Sequence, residues 1–232
     1  MIEIRALTFD TGGTVLDWHG GISRVLADTG ARHGITADWA AITNEYRRRS
    51  LQAMIDQVGP HFNMDDVHRG VLDLVLRDHG LEAFDRNDRE QIWRAWHELD
   101  AWPDFADALR RLRRRYIVGS FTILTTSLVI DVSRRNRLDW DCIISCEMLG
   151  IYKTNPTAYV NAARLLQLPP ETIMMVACHN FDLMAARRER YHSAFVRRPR
   201  EWGPAQPPDP EPNAAHDLVV DDFGALADRL GC

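Results

Sequence analysis

Cysteine and lysine are scarce in this chain of 232 residues. The four cysteines, Cys142, Cys146, Cys178 and Cys232, form no CxxC pair, and without a secretion signal they are expected as free thiols rather than a disulfide framework. No apolar run approaches the roughly 20 residues that span a bilayer. An excess of positive charge is also missing. The 28 basic residues face 33 acidic ones for a net charge of −5, which removes the bulk electrostatic case for a nucleic-acid partner. The first residues run directly into a strand pattern with no leader-like segment ahead of it, so a cytoplasmic protein without a membrane partner is expected. There are no internal repeats. The composition, 45% hydrophobic and 26% charged, is that of a globular chain with room for a full core and a second small module.

Periodicity changes twice along the chain. Met1–Asp10 reads as a buried strand that ends on an acid, and Thr11-Gly12-Gly13-Thr14 reads as a turn. Helical patterns then follow over Ile22–His33, Ala37–Gln57, Asp65–His79 and Arg86–Glu98. Asp65 and Asn87 are the expected N-caps, and Gly34, Gly59 and Gly80 the expected stops. After Trp102-Pro103-Asp104, helices at 104–114, 126–136, 156–167 and 182–189 alternate with strands. The strands are expected at Tyr116–Thr122, Cys142–Ser145, Ile173–Ala177 and Ala194–Val196. A short strand at Leu218–Val220 and a helix at Asp222–Leu230 close the pattern, and the proline-rich Arg198–Pro212 reads as a surface loop. Such alternation predicts an α/β fold with a Rossmann-like, doubly wound parallel sheet. Residues 1–15 and 100–232 would form the core. Residues 16–99 would be a helical cap inserted after the first strand, above the carboxyl edge where such sheets bind ligands.

Chemistry-bearing residues gather at that edge. Asp10 ends the first strand in apolar company, with Thr14 placed to hydrogen-bond its carboxylate. Thr122 ends the second strand, Lys153 follows the third, and Asp182 follows the fourth. Any one of them alone could be a turn cap or a surface group. Four polar groups from four separate turns converging on one crevice are harder to attribute to chance. A lysine beside Asp10 would keep the carboxylate ionised and ready as a nucleophile. The arginine clusters Arg47–Arg49, Arg110–Arg115 and Arg187–Arg190 lie in helical patterns with acids nearby and read as solvated faces.

The order Phe9-Asp10-x-x-Gly13-Thr14, a strand ending in Thr122, Tyr152-Lys153-x-x-Pro156 and Val176-Ala177-Cys178-His179-x-x-Asp182 resembles the four motifs of the haloacid dehalogenase superfamily. Within it, Leu138-x-Trp140-Asp141, Tyr159 six residues after Lys153, and the tail from Ala194 to Pro204 with Glu201-Trp202-Gly203 are most similar to the type II 2-haloacid dehalogenases. The family's phosphotransferases carry an acid where this chain has Gly12 and a magnesium-binding aspartate where it has Cys178, a poor ligand for a hard cation. A dehalogenase needs neither, because halide leaves without protonation.

The resemblance therefore implies metal-independent, cofactor-free displacement by Asp10 at C2 of a short 2-haloacid. An aspartyl ester would form, and water activated by Asp182 or His179 would hydrolyse it. It also implies an anion-binding arginine from the cap, with Arg47 the best match and Arg48 and Arg49 as alternatives. Gly12, Ile123 and Asn180 are expected in the substrate-binding surroundings, Trp39 and Tyr159 either there or in the core, and a homodimer is common in that family. Gly12 replaces the usual aromatic residue and Ile123 the usual asparagine, which alters pocket shape and removes a donor. Thr125 and Thr126 stand in reserve if the second-motif turn is shifted. Two other readings compete: a superfamily hydrolase with a different substrate, such as a phosphatase, and a catalytically silent binding protein.

Overall fold

A computed structural model describes residues 3–55, 63–208 and 210–232. Six strands form one parallel sheet: β1 (Ala6–Phe9), β2 (Ile117–Thr122), β3 (Cys142–Ser145), β4 (Ile173–Ala177), β5 (His192–Val196) and β6 (Leu218–Val220). Their order across the sheet is β3-β2-β1-β4-β5-β6. β1 is central, in register with Ile117–Ser120 of β2 on one side and Ile173–Val176 of β4 on the other. The chain changes direction of travel across the sheet between β1 and β4. Such a switch point opens a crevice at the carboxyl ends of the strands.

The two-residue period of the strands divides the core in two. Leu7 and Phe9 of β1, Val118 of β2, and Met174 and Val176 of β4 face one way. They pack against α5 (Phe105–Leu112), α6 (Thr126–Asn136) and α10 (Phe223–Arg229). Ala6, Phe121, Ile173, Met175 and Ala177 face the other way, toward α8 (Pro156–Leu166) and α9 (Asn180–Arg188). On the first face the ring of Phe9 sits 5.6 Å from both Phe105 and Trp140 and 5.9 Å from Phe223. A one-turn helix, α7 (Cys146–Leu149), follows β3 directly and has no counterpart in the periodicity, which needs more than one turn to register.

Between β1 and β2 lie four helices, α1 (Trp18–Arg32), α2 (Trp39–Ile55), α3 (Met64–Asp78) and α4 (Arg86–Arg94), and a 3-10 turn, Ala95–Glu98. The described residues of this stretch contribute no strand to the sheet. The expected helices are all there, but several ends differ. α1 starts at Trp18 rather than Ile22, because Asp17 accepts the Gly20 amide at 2.9 Å. Gly21 lets Leu99 pack closely against this helix: a Cβ there would lie 2.5 Å from Leu99 Cδ2, which would have to move. The cap of α3 is Asn63, not Asp65, and that of α4 is Asp85, not Asn87. Asp85 accepts the Asn87 and Asp88 amides while Asp88 returns a bond to the Asp85 amide, a reciprocal box that Asn87 cannot make from inside the first turn. Asp65 instead accepts from the Thr125 hydroxyl at 2.9 Å, tying α3 to the start of α6. Gly34 and Gly80 end their helices at φ +66° and +65°. The stop at Gly59 and the end of the second helix at Gln57 lie outside the described residues. Among the described residues no helix is long and apolar enough to cross a membrane.

Candidate active site

Asp10 leaves the end of β1 with its amide bonded to the Val176 carbonyl, so its side chain emerges at the switch point. The turn after it is held from several directions. Trp102 donates its indole N–H to the Gly13 carbonyl at 2.8 Å, and Arg198 donates to the Thr14 carbonyl at 3.0 Å while pairing with both oxygens of Asp104. Gly13, at φ +95°, has no room for a side chain, since a Cβ would sit 2.1 Å from Glu201 Oε1.

The Asp10 carboxylate, 6% exposed, has three partners. Thr14 Oγ1 donates to Oδ2 at 2.9 Å, Lys153 Nζ donates to Oδ1 at 2.9 Å, and His179 Nδ1 lies 3.2 Å from Oδ2. Burial pushes the Asp10 pKa up, but the charge of Lys153 and the contact with His179 overcome it, and the carboxyl is held well below the usual carboxylate range. Lys153 is the sole lysine of the chain. Its three donors are all used: on Asp10, on Asp182 Oδ2 at 2.6 Å, and on the Phe121 carbonyl at 3.0 Å. Burial would lower its pKa, yet Asp10 and Asp182 raise it above the ordinary lysine value. Asp182 is fixed on its other oxygen by the Tyr159 hydroxyl, which donates to Oδ1 at 2.5 Å. Burial raises the Asp182 pKa, and Lys153 offsets only part of that.

His179 bridges two acids. Its Nε2 lies 2.9 Å from Glu201 Oε1, and the Trp18 indole donates to the same oxygen at 3.1 Å. Burial lowers the imidazole pKa, but its contacts with Cys178, Glu201 and Asp10 hold it well above the ordinary histidine value. Burial pushes the Cys178 thiol up to about 11, so it is a neutral group at neutral pH.

Above this floor a cavity of about 360 Å³ is roofed by α2. Arg47 points down into it and is 4% exposed. Its guanidinium carbon lies 5.6 Å from the ring centres of both Trp18 and Trp96, contacts that favour a cation by about 0.5–2 kcal/mol each. Among the described residues, Arg47 Nε and Nη1 are buried with no hydrogen-bond partner. Burial lowers the Arg47 pKa, while Glu201 and Asp10 act to raise it. Nη2 lies 3.3 Å from where a Cβ on Gly12 would be, so a side chain at position 12 would crowd the guanidinium. Arg48 also lines the cavity, whereas Arg49 is turned outward onto Asp78.

Of the expected site residues, Asp10, Gly12, Arg47, Ile123, Lys153, His179 and Asp182 line this one cavity, and Thr14 touches Asp10 from below. Four expectations need correction. The Thr122 hydroxyl accepts the Leu124 amide at 3.1 Å within its own turn, and Thr122 is not among the residues that line the cavity. Trp39 stacks on Phe84 at 6.2 Å, among the helices of the 18–98 stretch and away from the cavity wall. Tyr159 is fully buried beneath the floor, where it positions Asp182 instead of lining the pocket. Asn180 ties down the proline-rich segment, donating to the Glu211 carbonyl at 2.8 Å and accepting from the Asn213 amide at 2.9 Å. Of the fallback residues, Thr125 caps α6 by accepting the Leu128 amide. Three further residues reach the site without a signal in the motif spacing: Glu201, an acid in the tail after β5 that meets His179, and Trp18 and Trp96, which flank Arg47.

Residues 4–188 match the family model for haloacid dehalogenase-like hydrolases, and the chain belongs to that family. It is 27% identical over 205 residues to (S)-2-haloacid dehalogenase 4A of Burkholderia cepacia, a match covering 84% of each chain. Among solved structures, the defluorinating L-2-haloacid dehalogenase Rha0230 superposes with a TM-score of 0.92 at 36% identity, covering 99% of this chain and 96% of the other. The L-2-haloacid dehalogenase PA0810 does so with a TM-score of 0.91 at 33% identity, covering 98% of both.

Proposed function

We propose that this enzyme hydrolyses the carbon–halogen bond of 2-haloacids, with Asp10 as nucleophile. The observation that carries the reading is the pairing of a buried carboxylate, kept ionised by Lys153, with a buried arginine that lines the same cavity. A guanidinium suits a carboxylate, which it can bind through two parallel bonds, or the charge of a departing halide. Residues 16–99 act as a cap that carries this arginine to the core.

One carboxylate oxygen of Asp10 attacks C2, a C–O bond forms, and the halogen leaves with the bonding pair. Displacement from the rear inverts C2, so an (S)-2-haloacid gives the (R)-2-hydroxy acid. In the resulting ester Asp10 is neutral, and His179 has lost one of the two anions that favour its charged form. Once neutral, with Nε2–H directed at Glu201, His179 presents the Nδ1 lone pair where the ester carbonyl lies. It takes a proton from water as the water oxygen attacks that carbonyl. The acyl C–O bond then breaks, and that proton passes to the departing hydroxy acid. The proton left on the Asp10 carboxyl passes to His179, which restores the carboxylate beside a charged imidazole. The proton His179 gave up to solvent earlier is the one released overall. This reading favours His179 over Asp182 as base, because both Asp182 oxygens are engaged by Lys153 and Tyr159. No step calls for a divalent ion.

The test is halide release from (S)-2-chloropropanoate and its 2-fluoro counterpart, with and without EDTA. Fluoride belongs in the assay because the similar Rha0230 is a defluorinating enzyme. Turnover unaffected by EDTA and lost by at least three orders of magnitude in Asp10→Asn is expected. A Mg²⁺-dependent phosphatase activity with no halide release would overturn the reading.

A further inference from the structure

Three side chains at the rim of this cavity form a cluster with metal-binding chemistry. Cys178 Sγ lies 3.4 Å from His179 Nε2 and 3.6 Å from Glu201 Oε2, and Nε2 lies 2.9 Å from Glu201 Oε1. The sulfur, the ring nitrogen and a carboxylate oxygen all fall within 4.8 Å of one another. A tetrahedral ion with ordinary bonds to sulfur, nitrogen and oxygen separates its ligand atoms by about 3.3–3.6 Å. The existing spacing therefore needs adjustment of only a few tenths of an ångström to admit one.

Each ligand is also oriented by a neighbour. The Trp18 indole fixes Glu201 at 3.1 Å, Thr14 Oγ1 is 3.4 Å from the Cys178 sulfur, and Asp10 holds the far side of the imidazole through Nδ1. Partners behind the ligands of this kind set their direction in metal sites. Access comes from two sides. Cys178 and Glu201 line the Asp10 cavity and also an adjoining cavity of about 410 Å³ bounded by Phe195, Arg197 and Pro199. A thiolate, an imidazole and one carboxylate suit a borderline ion such as Zn²⁺ or Co²⁺ and not the hard Mg²⁺.

We propose that Cys178, His179 and Glu201 bind one borderline divalent ion, and that this ion silences the enzyme rather than assisting it. Binding displaces the thiol proton and the proton on Nε2, and the ion forms bonds to Sγ, Nε2 and a Glu201 oxygen. Since the ion occupies Nε2 and draws off Glu201, the hydrolytic partner of Asp10 is lost. The silencing half of the proposal rests on the role given above to His179. The binding half does not.

Direct titration with Co²⁺ separates the two. The purified enzyme is expected to bind one equivalent and to develop the near-ultraviolet absorption of a cobalt–thiolate bond. Cys178→Ser should lose that absorption and bind at least tenfold more weakly. Glu201→Gln should keep the absorption and also bind more weakly. Cys142→Ser, remote from the cluster, is the folded control and should behave as wild type. In the activity arm, Zn²⁺ should depress halide release at least tenfold, and EDTA should restore it. Absence of the thiolate absorption, or its survival in Cys178→Ser, would overturn the site. One-to-one binding with turnover unchanged would overturn the silencing.

Discussion

The floor and the roof of the cavity are built on opposite principles. On the floor, polar groups are bonded to other protein groups: Lys153 uses all three donors, Asp182 both oxygens, and Asp10 is contacted at both. On the roof, Arg47 is equally buried but, among the described residues, leaves Nε and Nη1 without partners. A buried donor left unmade costs about 1–3 kcal/mol, more for a charged group, and the flanking Trp18 and Trp96 rings offset only part of this. The floor is thus complete as it stands, whereas the roof leaves a buried cation without a full set of partners among the described residues. On the proposed reading, reaction chemistry belongs to the first region and substrate capture to the second.

The largest effect that sharpens this contrast is expected at Arg47. Arg47→Met should lower kcat/KM by about a thousandfold, roughly the 4 kcal/mol of a buried charged contact. It should leave the thermal midpoint unchanged or raise it, because an unpaired buried cation has been replaced by an apolar chain of similar length. Steady-state kinetics beside a thermal melt checks both. A large fall in stability would mean that the roof, like the floor, is held together by its charge.

Glu201→Gln should act at the edge between the two regions. Its charge helps hold the His179 pKa above the ordinary value, so the base becomes neutral only as pH rises, and kcat should climb into the alkaline range in wild type. Removing the anion lowers that pKa. The rising limb of the kcat profile should shift to lower pH, while the plateau falls about 10- to 100-fold through loss of base strength and tautomer control. The linkage has the same sign. Stability from the charged His179 is fully present below its unfolded pKa of about 6.5 and fades as pH rises through the folded value, so the variant should lose stability mainly at low pH. A profile with an unmoved limb would remove Glu201 from the mechanism.

The smallest effect is expected beneath the floor. Tyr159→Phe deletes the bond to Asp182 Oδ1, frees one acid and loosens Lys153 indirectly. A loss of about 1–2 kcal/mol in stability with kcat reduced only severalfold and KM unchanged is predicted from urea melts and kinetics. A rise in KM instead would return Tyr159 to the pocket wall.

Much of the floor was legible because each residue ends a strand or opens the helix after it, and a parallel sheet brings those turns to one edge. Asp10, Lys153 and Asp182 follow from that rule without any knowledge of side-chain packing, whereas His179 enters only through the family resemblance. Thr122 obeys the same rule of position but turns its hydroxyl back onto Leu124, a local choice that spacing does not encode. Arg47 stood beside two equivalent arginines, yet it lies in the buried row Thr43, Arg47, Ser50 and Met54 of α2, at helical spacing, while Arg48 and Arg49 do not. Glu201, Trp18 and Trp96 were less accessible. They come from the tail, from the first cap helix and from its last 3-10 turn, and meet only when the tail folds back beneath the cap. Trp202 packs edge-to-face on Trp18 with ring centres 5.0 Å apart, and the Asn44 side-chain amide donates to the Trp202 carbonyl at 3.2 Å. Contacts of that range leave no period in the sequence.

The central claim is that oxygen reaches the product from Asp10 and not directly from water. A single turnover with enzyme in excess over (S)-2-chloropropanoate in ¹⁸O-water, followed by mass analysis of both product and protein, tests it most directly. The ester route predicts unlabelled 2-hydroxypropanoate and one ¹⁸O atom in the peptide that contains Asp10. Label in the product of that first turnover, with an unlabelled Asp10 peptide, would mean that water attacks C2 itself and would contradict the assignment of Asp10 as nucleophile.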